Sequence, residues 1–149
     1  MKLSSRIVAL VVAALAVAFM PAAADKPARM AVVVSKTSKL ASIEWSELQR
    51  IFLREKIQWD DGSEITVFQR PSVHPLYGAF ARAAVRKSPG ELAEHWLNIK
   101  LTRGIDPPKV CASAMLLKRY LERTSGGIGY LAEDEVDETV KVVMFIDIK

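Results

Sequence analysis

The chain is poor in the residues that make stapled, metal-bound or nucleophilic proteins. It has a single cysteine, Cys111, so no disulfide can form within it. No acid or histidine neighbours that thiol, which argues against a catalytic cysteine and for a buried one. Its two histidines, His74 and His95, lie far apart, and neither sits in a zinc-ligand spacing. No nucleophile elbow and no local acid–base pair is present, so an enzyme is not expected. Lys and Arg form no block and do not alternate with aromatics, which sets nucleic acid aside as a partner. Nothing in the composition calls for a cofactor.

What is there begins with an export signature. Lys2 and Arg6 precede an unbroken apolar run from Ile7 to Met20, followed by Pro21-Ala22-Ala23-Ala24-Asp25. A charged start, a short apolar core and small residues at Ala22 and Ala24 predict a signal peptide cleaved after Ala24. The run is about 14 residues, short of the roughly 20 that a spanning helix needs. Export to a bacterial periplasm is the expected context, with residues 25–149 forming one domain. Removing Lys2 and Arg6 lowers the formal charge from +4 to +2.

Hydrophobic periodicity orders the rest. Met30–Ser35 is a continuous apolar run, as in a strand buried on both faces. Trp45, Leu48, Ile51 and Phe52 recur at helical spacing, predicting a helix near Trp45–Leu53. Asp61-Gly62 marks a turn before a strand at Glu64–Gln69. A helix follows over His74–Val85. A second opens on the capping box Ser88-Pro89-Gly90-Glu91, and a third begins near Ser113, with Met115, Leu116, Tyr120 and Leu121 on one side. Thr124-Ser125-Gly126-Gly127 ends the last helix, with glycine expected in the left-handed position. Ile128–Leu131 and Val140–Ile146 read as closing strands. The order β-α-β-α-α-α-β-β implies a small α/β domain with a mixed sheet flanked by helices. Trp45 and Trp96 are expected in the core, Trp59 in a loop, and the acid-rich segment Glu133–Glu138 in a solvated loop.

VVVSKTSKL, then SELQRIFLREKIQWDDGSEITVFQR, then SGGIGYL before a final strand, resembles the phosphate-binding proteins of periplasmic ABC transporters. The resemblance is closer to their small single-domain relatives, often called PBP-like domains, and spans roughly residues 30–145. It implies one lobe of a type 2 periplasmic-binding-protein fold. It also implies a solute-binding role toward phosphate or a related oxyanion, in uptake through an ABC permease. The full-length relatives close two lobes over the anion, so a homodimer or another periplasmic or inner-membrane protein would have to supply the opposite wall.

The resemblance places the anion loop at Arg70-Pro71-Ser72-Val73-His74-Pro75-Leu76, where strand passes to helix. Arg70 matches the arginine of the relatives' loop, and its guanidinium suits a bidentate contact with phosphate. The remaining positions depart from the pattern: Pro71 and Pro75 have no N–H to donate, and Val73 stands where glycine is usual. Arg70, Ser72 and His74 are the candidate ligands, with Gly126 and Gly127 as places where backbone could approach an anion. Two readings stay open. In one the junction holds an anion. In the other Ser72 caps the helix, Arg70 forms a surface ion pair, His74 is exposed in the first turn, and the domain is an interaction or sensory module that has lost small-molecule binding.

Overall fold

The computed structural model describes residues 28–149; the expected signal peptide, 1–24, lies outside them. The elements are β1 (Arg29–Ser35), α1 (Trp45–Phe52), β2 (Thr66–Gln69), α2 (Pro75–Phe80), α3 (Pro89–Arg103), β3 (Lys109–Val110), α4 (Ala114–Arg123), β4 (Gly127–Ala132) and β5 (Val140–Asp147). They build a five-stranded sheet in the order β3-β2-β4-β1-β5. β2 runs parallel to β3 and β4, whereas β1 is antiparallel to β4 and β5. The sheet is therefore mixed, as expected.

β1 shows why the apolar run is unbroken. Met30, Val32 and Val34 face a core shared with α1, α2 and α3, while Ala31 and Val33 face a second core under α4. Side chains alternate across a strand, so burial on both faces removes the polar positions. In the first core, Phe52 and Tyr130 pack on Phe80, with Phe80 and Tyr130 stacked at 4.0 Å between centroids. In the second, Leu117 and Leu121 cover Phe68, Leu131 and Cys111, which is fully buried.

Several local expectations are corrected. The Pro75 helix keeps α geometry only to Phe80, and Ala81–Val85 form a π turn. That turn ends on Arg86, a non-glycine residue at φ 58°. Gly126 and Gly127 do not take the left-handed conformation: α4 ends on an extended Thr124, and the positive-φ glycines are Gly62 and Gly104. Trp96 is buried and donates Nε1–H to the Phe52 carbonyl, but Trp45, at the first turn of α1, is 48% exposed. On α4 the buried residues are Leu117 and Leu121, with Met115 and Tyr120 exposed.

Candidate functional site

The strand-to-helix junction comes first from β2. Val67, Phe68 and Gln69 are buried, and Arg70, directly after them, is only 4% exposed. Burying a guanidinium is costly unless its charge and its donors find partners. Arg70 finds them incompletely. Its Nη1 faces both carboxylate oxygens of Glu135, at 3.3 and 3.4 Å. A good charge-assisted bond is nearer about 2.8 Å. Its Nε is buried with no hydrogen-bond partner among the described residues. The backbone N–H of Arg70 donates to the Tyr130 phenol oxygen at 3.2 Å, and burial pushes that phenol's pKa well above its ordinary value.

Glu135 is held from its own side. It stands in the 3₁₀ turn Glu133–Glu135 that follows β4, and its Oε2 accepts the Ala132 N–H at 2.9 Å. The acidic segment is thus more than a solvated loop. Glu133 pairs with Arg29, Glu135 with Arg70, and Asp137 with Lys118.

The helix start supplies less than an anion loop would. His74, rather than Ser72, is the N-cap of α2, and its Nδ1 accepts the Leu76 N–H at 3.2 Å. A ring nitrogen that accepts carries no proton, so this bond belongs to the neutral imidazole. The Tyr77 N–H is taken by the His74 carbonyl, the His74 N–H by the Pro71 carbonyl, and Pro75 has none. Ser72 is exposed and lines, with Gln69, Tyr77, Trp96 and Pro108, a cavity of about 410 Å³ beside the junction.

Gly126 and Gly127 are not brought to Arg70. Gly127 pairs with Thr66 at the start of β2, whereas Arg70 follows its end. Four strand residues separate the two levels, about 13 Å. Packing accounts for both glycines: a Cβ on Gly126 would stand 2.1 Å from the Glu64 carbonyl oxygen, and one on Gly127 would meet Leu121, Thr124 and Phe68. The residues that sequence reasoning missed are Glu135 and Tyr130. Acids fill five of the six positions 133–138, so no spacing in the sequence singles out Glu135.

No protein-family model and no curated protein matches the sequence. Solved structures do match the fold. An ABC-type phosphate transport receptor from Vibrio cholerae superposes with a TM-score of 0.63 at 16% identity, over 78% of this chain and 46% of that one. A protein from Clostridium perfringens, named as a phosphate ABC transporter substrate-binding protein and solved with bound phosphate, gives 0.63 at 18%, over 78% and 44%. PstS from Borrelia burgdorferi gives 0.60 at 15%, over 78% and 46%. The chain spans less than half the length of each. At these identities what is shared is the fold. This chain therefore has the architecture of a single lobe of the phosphate-binding proteins of ABC transporters.

Proposed function

We propose that the chain is an exported, periplasmic solute-binding-type domain that recognises phosphate or a related oxyanion in ABC-type uptake, with Arg70 as the anion's anchor. The observation that carries this reading is the buried Arg70 guanidinium, whose Nε lacks a partner among the described residues and whose contact with the Glu135 carboxylate is long. A buried charge so incompletely paired is under-satisfied, and a tetrahedral oxyanion offers the two adjacent oxygens that a guanidinium edge takes up. Glu135 then acts as a resident carboxylate that gives way to the anion. Ser72, exposed at the mouth of the adjoining cavity, is the second ligand; His74, Gly126 and Gly127 serve the backbone. The names of the structurally similar proteins, two of which specify phosphate, agree with this choice of ligand.

A second reading is favoured by a specific observation: the N–H groups of His74, Leu76 and Tyr77 are already engaged within the chain. In that case the domain keeps the fold and works through a protein partner, as an interaction or sensory module. Thermal melts of the chain with phosphate, with sulfate, and in an Arg70→Ala variant separate the two. Phosphate at a hundred times its dissociation constant stabilises by about 2.7 kcal/mol, which raises the melting temperature by roughly 10 °C. A rise selective for phosphate and absent in Arg70→Ala supports anion recognition. No rise, or equal small rises with sulfate and in the variant, supports the module.

A further inference from the structure

At the other end of the sheet, where β2 begins, lies a second cavity of about 420 Å³. Small-molecule sites fall at about 300–1,000 Å³. Trp59 forms part of its wall and is fixed there. Its Nε1–H donates to the Gly126 carbonyl at 3.1 Å. Its backbone closes a tight turn, with the Trp59 N–H on the Ser63 carbonyl at 2.8 Å and the Gly62 N–H on the Trp59 carbonyl at 2.9 Å. Gly62, at φ 84°, is what permits that turn.

The polar rim comes from Lys39, Glu47, Asp60, Asp61 and Ser125. Its carboxylates are engaged within the chain. The Lys56 ammonium bridges Glu47 and Asp60. Asp61 accepts the N–H and hydroxyl of Ser63 at 2.9 and 2.6 Å. Two ammoniums thus stand among three carboxylates. An anion would meet the carboxylates, and a cation would meet Lys39 and Lys56. What the rim leaves available are carboxylate lone pairs and hydroxyls, beside a rigid indole wall. That combination suits a ligand with many hydroxyls, no charge and a flat C–H face.

We propose that this cavity binds a neutral polyhydroxylated ligand, a sugar of one or two rings, with Trp59 as the apolar wall and Asp60, Asp61 and Ser125 as hydroxyl partners. The site is distant from Arg70 and does not depend on anion recognition there.

The test is a tryptophan-fluorescence titration of the purified chain with glucose, cellobiose and diacetylchitobiose at millimolar concentration, with spermidine and phosphate in parallel. Trp45→Phe removes the exposed indole outside the cavity. Ser125→Arg fills the rim from an exposed position, and Asp60→Asn removes a carboxylate whose side chain is 95% exposed. The expected result is a saturable response to at least one sugar, kept in Trp45→Phe. Ser125→Arg and Asp60→Asn should each weaken it by about tenfold or more, with their melting temperatures unchanged. No saturable response to any of the sugars, a response only to spermidine or phosphate, or sugar binding unchanged in both rim variants would overturn the proposal.

Discussion

The two ends of β2 treat charge in opposite ways. Where the strand ends, the Arg70 guanidinium is buried and meets one carboxylate at long range. Where it begins, four charged side chains line an open cavity, and the carboxylates among them are partnered by Lys56 and Ser63. A charge taken out of water makes large demands on its partners, whereas a charge left in water makes few. The difference teaches that stability at the Arg70 end rests on single groups, and that at the Trp59 end it rests on backbone packing.

Substitutions break or sharpen that contrast. The largest effect belongs to Gly126→Ala, because the added methyl would lie 2.1 Å from a backbone oxygen that cannot rotate away. A loss of at least about 3 kcal/mol in denaturant unfolding is expected. Glu135→Ala comes next. It leaves Arg70 buried without a carboxylate, and since the Glu135 side chain is 27% exposed, about 2 kcal/mol is expected rather than the full cost of a buried pair. Tyr130→Phe removes the oxygen that accepts the Arg70 N–H and should cost about 1–2 kcal/mol, read in the same unfolding series. Asp60→Asn, at the other end, should change stability by less than about 0.5 kcal/mol. If it destabilised as much as Glu135→Ala, the contrast between the two ends would be wrong.

A pH titration sharpens the account of the acidic segment. Hydrogen bonds from Lys118 and Thr139 hold the Asp137 carboxyl at about 2, below its ordinary 3.8. A pKa depressed in the folded state contributes stability that is fully present above the unfolded value and is lost as pH falls through the folded one. Melting temperature should therefore fall between about pH 4 and pH 2. In Lys118→Met that fall should be shallower. An unchanged acid profile in the variant would remove Lys118 as the cause.

How much of this was legible in the sequence depends on the range of the interaction. β1 could be placed because burial on both faces leaves an apolar run. The start of α3 could be placed because its capping box, with Ser88 and Glu91 each bonding the other's N–H, is written within four residues. β3 could not: two residues carry no period, and Lys109-Val110 is a strand only through its register on Phe68 and Gln69. Trp45 looked like core by spacing, yet the end of a short helix lies beyond the cover of the sheet. At the site, Arg70 was found from its place after an apolar run. Its partner Glu135 lies 65 residues away, and no local pattern records that contact. Gly126 and Gly127 looked like ligand-facing glycines because a close backbone approach reads the same in sequence whether the neighbour is a ligand or the chain itself.

The most direct test of anion anchoring at Arg70 watches its unpartnered Nε–H in a proton–nitrogen correlation spectrum while phosphate is added. The account predicts that this resonance shifts saturably with phosphate and that Glu135→Gln makes it saturate at lower concentration. An Nε–H resonance that stays in place in both proteins, with the spectrum otherwise that of the folded chain, would contradict it.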